Sequence, residues 1–174
     1  NRRFNWPINM CRCLLSTIML TGPKKVNDMP NGWSQYGSNC YKLNTDTRKS
    51  WLGARHDCVR DGADLVSIAS PEEEHFLSTY TKGKSKWIGL KHNPTDGGYH
   101  WSDATPVSHT NWGHGEPNNH EGREDCVEMV SNTNGTSSWW NDLNCDAHQD
   151  WICMISKGKK PIVELSGGKN RIKI

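Results

Sequence analysis

Five side chains in the C-terminal half could hold a hard cation. Glu116 and Asn118 flank Pro117 in "EPNNHEGREDC", and Glu124 stands two residues before Cys126. Asn141 and Asp142 follow in "WWNDLNC", shortly before Cys145. All five offer oxygen. Calcium takes roughly 6–8 oxygens in flexible geometry. Three carboxylates against a dication leave one net negative charge, a workable balance. Five residues do not fill such a shell without a backbone carbonyl, water or sugar hydroxyls. Magnesium fits less well, because it demands strict octahedral geometry and keeps its waters. The D-x-[DN]-x-[DN]-G pattern of an EF-hand is absent. Taken singly, each residue is what any solvated loop contains. Taken together at this spacing, they point to a metal.

Pro117 has a specific use here, since a cis Glu116–Pro117 bond turns the flanking side chains to one side. Only about 5–6% of X–Pro bonds in folded proteins are cis, so the sequence alone does not establish it. Cys126 and Cys145 bracket the ligand segments and could clip them together, lowering the entropy cost of a loop-borne site. His109, His114 and His120 lie nearby. His109 and His114 read as exposed loop histidines, and His120, two residues after Asn118, reads as a secondary contact for the ligand that completes the shell. No carboxylate–histidine spacing supports zinc.

Such a site needs elements to position it. "SWLGARHDCVRDG" has Trp51, Ala54, Cys58 and Val59 at helical spacing, ending before Gly62. "SPEEEHFLSTYT" predicts a second helix, with Ser70 as N-cap, Pro71 in the first turn and three glutamates complementing the N-terminal dipole. "NGWSQYGSNCYKL" and "KWIGLKHN" read as strands, and "ADLVSIAS" as a short strand or extended run. "CVEMV", "SWWND" and "DWICMI" read as three short strands of a terminal sheet. The stretch "PTDGGYHWSDATPVSHTNWGHGEPNNHEGRED" is turn-rich and poor in aliphatics, and long loops of this kind are usually functional. The expected fold class is α+β, with two helices flanking short antiparallel sheets and a long irregular loop lobe.

The chain has 174 residues, enough for one domain with flanks, and a net charge of +2. That charge gives no electrostatic case for nucleic acid or an anionic membrane. Nine tryptophans stand against two phenylalanines, which suits a loop-rich domain that needs large buried area. Trp51, Trp87, Trp101, Trp112, Trp140 and Trp151 are read as core. Seven cysteines suggest an oxidising compartment, and no CxxC pair supports a zinc site. Asn134-Gly135-Thr136 is a glycosylation sequon. "CLLSTIML" is too short for a membrane span of roughly 18–20 residues. Residues 1–28 read as a leader or linker, 29–157 as the domain, and 158–174 as a C-terminal tail.

These motifs together resemble the C-type lectin-like domain family. "KWIGL" is similar to its W-I-G-L core motif, "EPN" to its mannose-type calcium motif, and "WND" to the strand that completes the site. "HWSDATPVSHTNWGHGEPNN" and "WICMISKGKKP" further resemble the multi-domain macrophage mannose receptor group. The resemblance implies disulfides Cys58–Cys153 and Cys126–Cys145, where sequence alone leaves about a hundred pairings open. It implies that Glu116, Asn118, Glu124, Asn141 and Asp142 bind Ca2+, with Asp142 also able to supply its backbone carbonyl. It implies that the same residues bind vicinal equatorial hydroxyls of mannose, fucose or N-acetylglucosamine, whereas QPD in place of EPN goes with galactose in this family.

An extracellular module follows, secreted or part of a receptor ectodomain. Its expected partners are mannose-type glycans or glycoproteins, together with other domains of a multi-domain receptor or a homo-oligomer. The alternative is a protein-binding domain of the same fold. Catalysis is not expected, because nothing resembles G-x-S-x-G or H-E-x-x-H. An antifreeze or venom-type use of the fold stays open. Two departures from the family stand out. Met29 occupies the place of an N-terminal cysteine, so Cys40 is either free or joined to Cys11 or Cys13. An auxiliary calcium site would draw on His92, Asp96, Asn119 and Glu124, where His92 and Asn119 weaken the set.

Overall fold

The computed structural model describes residues 32–156. The expectations for residues 1–28 and 158–174 lie outside the described residues, as do Cys11 and Cys13. Two α-helices form where caps and periodicity place them. Helix α1 (Trp51–Arg60) starts at Ser50, whose hydroxyl accepts from the Gly53 N–H (3.3 Å), and it buries Trp51, Ala54 and Cys58. It stops before Gly62, which adopts a positive φ of 76° that glycine tolerates without steric cost.

Helix α2 (Pro71–Thr81) starts at Ser70, which accepts from the Glu73 N–H (3.2 Å). Its glutamates divide. Glu72 stays exposed at the N-terminus, whereas Glu73 and Glu74 are buried. Glu73 accepts from the Tyr41 hydroxyl and from the Ala69 N–H. All three stand in the first turn, as expected, and two of them also hold buried contacts.

The strands are β1 (Trp33–Tyr36), β2 (Asn39–Lys49), β3 (Asp64–Leu65), β4 (Ser85–Asn93), β5 (Gly98–Trp101), β6 (Cys126–Ser131), β7 (Ser138–Leu143) and β8 (Gln149–Ile155). They join into one sheet in the order β1-β2-β8-β4-β6-β7, with β3 on β8 and β5 on β4. The pairing is mixed, because β4 and β8 run parallel through Lys86↔Asp150 and Trp87↔Trp151. The three C-terminal strands are therefore not one consecutive sheet, since β4 lies between β8 and β6. Strand β5 also forms inside the stretch read as turns.

Two core clusters fill the domain. One gathers Ile68, Leu77, Leu90, Trp101 and Trp140; the other gathers Trp51, Leu65, Trp87 and Trp151. Trp112 is half-buried at the edge of the first. Disulfide Cys58–Cys153 ties α1 to β8, and Cys126–Cys145 ties β6 to the turn after β7. Cys40 is also disulfide-bonded, and its partner lies outside the described residues. Among the described residues no helix is long and apolar enough to cross a membrane.

Candidate functional site

The loop carrying Glu116 is fastened to β7 from both sides. The Trp140 N–H donates to Asn111 O (2.7 Å), and the Gly113 N–H donates to Trp140 O (2.8 Å). The Glu116–Pro117 bond is cis. Beneath it sits Asp142, fully buried. The Asn118 N–H donates to Asp142 Oδ1 (3.0 Å), and the Asn119 N–H and the Tyr99 hydroxyl donate to Oδ2 (2.8 and 3.3 Å). Asp142 thus organises the loop through its backbone. Asn118 Nδ2 donates to Glu116 Oε1 (2.9 Å).

Glu116 Oε2 is shielded from solvent and receives no hydrogen bond. Burial and the facing Asp142 carboxyl push the Glu116 carboxyl above its ordinary range, and Asn118 pulls it partly back. Burial likewise raises Glu128, and the bond from Asn141 opposes that rise. The Tyr99 hydroxyl is raised by burial and by Asp142.

The structure brings Glu116, Asn118 and Asp142 together. The other two candidates sit in pairs of their own. Glu124 Oε2 accepts from the His120 N–H (2.9 Å), while the Glu124 N–H donates to Asn119 Oδ1 (3.1 Å). Asn141 Nδ2 donates to Glu128 Oε1 (3.1 Å), and Gln149 donates to the second Glu128 oxygen (2.7 Å). The Asn141 side-chain oxygen remains available. Among the described residues no three histidine, cysteine, aspartate or glutamate side chains converge as a metal group. The candidate set is therefore two facing carboxylates with amide oxygens around them and Glu124 at the margin.

That set fits a hard cation. Two carboxyls that face each other need a proton or a positive charge between them, and a buried acceptor without a donor is costly. A calcium ion satisfies both needs with oxygen ligands alone.

The remaining candidates separate clearly. The His120 ring is well exposed, 3.9 Å from Glu121. His114 is exposed as expected. His109 is not: it is largely buried, pairs with Glu74 and packs edge-on to Trp140 (5.5 Å). Asn134 lies exposed in the turn between β6 and β7. Of the auxiliary set, Asn119 and Glu124 are joined through the Glu124 N–H, whereas His92 pairs with Asp125 (3.2 Å) and Asp96 with His100 (3.0 Å).

Sequence reading missed Tyr99 and Glu128. A charged residue amid apolar neighbours in "CVEMV" was the available signal for Glu128. Tyr99 offered none, because its contact depends on how β5 folds back onto β4.

The C-type lectin domain model matches residues 47–155. The chain is 36% identical over 137 residues to the mouse (Mus musculus) low affinity immunoglobulin epsilon Fc receptor, covering 78% of this chain and 40% of that one. The full-length relatives it matches are thus more than twice as long as the matched region. The C-type lectin domain of murine dendritic cell inhibitory receptor 2, solved in complex with N-glycan, superposes with a TM-score of 0.67 at 32% identity, covering 75% of this chain and 100% of that one. A calcium-independent type II antifreeze protein superposes with a TM-score of 0.65 at 29% identity, covering 74% and 95%. These relatives lend no support to the narrower macrophage mannose receptor group. With the two disulfides, the mixed sheet and the family match in agreement, the chain belongs to the C-type lectin domain family.

Proposed function

We propose that this domain binds mannose-type glycans (mannose, fucose and N-acetylglucosamine) in a calcium-dependent manner. The observation that carries the reading is the Glu116–Asn118–Asp142 cluster, with its solvent-shielded, unpartnered Glu116 oxygen. Glu116, Asn118, Glu124, Asn141 and Asp142 would hold Ca2+, which supplies a Lewis-acidic centre for sugar hydroxyls. Glu124 and Asn141 keep lone pairs for this role beside their present partners, because a carboxylate or amide oxygen accepts more than once.

The protein's own groups set the selectivity. Each of two vicinal hydroxyls donates to a carboxylate, Glu116 or Glu124, and accepts from an amide, Asn118 or Asn141. His120, exposed beside them, offers a secondary contact. A single sugar makes a small polar contact and binds weakly. Presentation by neighbouring domains of a receptor, or by a homo-oligomer, would supply avidity. The domain then works outside the cell as a binding module and not as an enzyme, with Asn134 glycosylated. The solved relative with bound N-glycan supports this reading.

A glycan array run with calcium and again with chelator tests it. Mannose-type signal that vanishes with chelator is expected. Glu116→Gln combined with Asn118→Asp should shift preference toward galactose, and unchanged mannose preference would refute the role given to this pair. The second reading is a protein-binding domain, favoured by the similarity to an immunoglobulin epsilon Fc receptor and to a calcium-independent family member. It predicts no glycan signal under either condition.

A further inference from the structure

Two aromatic rings are strongly exposed among the described residues, Tyr36 (38%) and Trp139 (40%). Tyr36 stacks on Phe76 with centroids 4.5 Å apart. Trp139 has no ring partner and its indole N–H has no acceptor among the described residues. A single exposed apolar side chain is ordinary by itself. The position of this one is what matters.

Strand β7 alternates. Trp140 and Asp142 turn inward and are fully buried. Trp139 and Asn141 therefore share the opposite face, two residues apart. Asn141 is one of the proposed calcium ligands. The indole also reaches the other side of the site. A Cβ built on Gly113 would lie 2.9 Å from Trp139 Cδ1 and 3.4 Å from Glu116 Cγ. Trp139 and Glu116 thus converge on one glycine, and any side chain at 113 would displace the indole. The indole thus lies beside Gly113 of the cis-proline loop, on the strand face it shares with Asn141, and stays 40% exposed.

We propose that Trp139 forms a second sugar subsite, on which the pyranose linked to the one at Glu116 and Asn118 lays its apolar C–H face. This rests on the glycan-binding reading above. The ligand class is a disaccharide or longer glycan with a pyranose at that linkage. A tryptophan suits the task, because it offers a large rigid contact area with two side-chain torsions to fix. Its free N–H supplies one hydrogen bond to a hydroxyl of the same ring. The primary contact is small, so a second ring is the natural source of further affinity.

Calorimetry with calcium tests the subsite, using methyl α-mannoside and a linked mannobiose on the intact chain. The variants are Trp139→Ala and Trp139→Phe. Calcium-induced thermal stabilisation of each variant confirms that it is folded and loaded. The native protein should prefer the disaccharide by about threefold to tenfold, the range of one aromatic contact. Trp139→Ala should bring that ratio to about one, and Trp139→Phe should restore part of it. Indole fluorescence should change with the disaccharide more than with the monosaccharide, and lose that difference in both variants. A ratio unmoved by Trp139→Ala, with the monosaccharide still bound, overturns the subsite alone. Failure of both sugars to bind with calcium present overturns the glycan reading and the subsite together.

Discussion

Glu116 answers to two demands. In the proposed site it must be ionised to hold a cation, yet burial and the facing Asp142 raise its carboxyl. A carboxyl raised in the folded state takes up its proton at a higher pH than it would unfolded. Protons and calcium then compete for the same oxygen, and acid favours the protonated, cation-free form. Sugar binding at fixed calcium should therefore fall between about pH 7.4 and about pH 5. Equal titration midpoints at both values would show that no carboxyl of the site takes part. Asp142→Ala should act more broadly, because Asp142 also accepts the Asn118 and Asn119 N–H groups. Calcium-linked thermal stabilisation should disappear in that variant, since a ligand that binds only the native state stabilises it by mass action. The residues around Pro117 were legible in sequence because their chemistry is local. The Asn141–Glu128 pair was not, because it depends on the β6–β7 register, with Glu128 opposite Asn141.

Helix α2 reaches the site through one buried carboxylate. Glu74 Oε1 accepts from Asn111 Nδ2 (2.7 Å), Ser138 Oγ (2.9 Å) and Trp140 Nε1 (3.0 Å), while Oε2 pairs with His109. These donors come from the loop before the cis proline and from β7, so the helix holds the two segments of the proposed site against each other. Glu74→Gln keeps the volume but removes the charge that three donors and His109 share, and turns one acceptor into a donor. It should cost about 2–3 kcal/mol of stability and weaken calcium binding. Urea midpoints with and without calcium would reveal both effects, and an unchanged calcium affinity would confine Glu74 to a structural part. Both helices were legible from caps and spacing, as Ser50 and Ser70 illustrate. The burial of Glu74 was not, because a glutamate in a first turn reads as a dipole partner until its tertiary donors are known. Sheet order was equally hidden: the parallel β4–β8 pairing joins strands more than fifty residues apart, and only long-range packing selects it.

At the scale of the whole molecule, the two disulfides between described cysteines divide the work. Cys58–Cys153 spans 95 residues and closes the domain, whereas Cys126–Cys145 spans 19 and closes the segment carrying Asn141 and Asp142. Chain entropy assigns the long loop about 4.7 kcal/mol and the short one about 3.2 kcal/mol. Stability of a domain is about 5–15 kcal/mol, so neither loss is negligible, and the long loop should matter more to folding. For the site the order should reverse. Cys126 borders Glu124 in sequence, and Cys145 follows the strand that supplies Asn141 and Asp142. Cutting their link should free two segments of the proposed site at once. Cys58→Ala with Cys153→Ala should lower the unfolding temperature more. Cys126→Ala with Cys145→Ala should weaken calcium binding more, when both are measured well below either unfolding transition. If calcium affinity followed thermal stability across the two variants, the short disulfide would have no part in the site beyond its share of the fold.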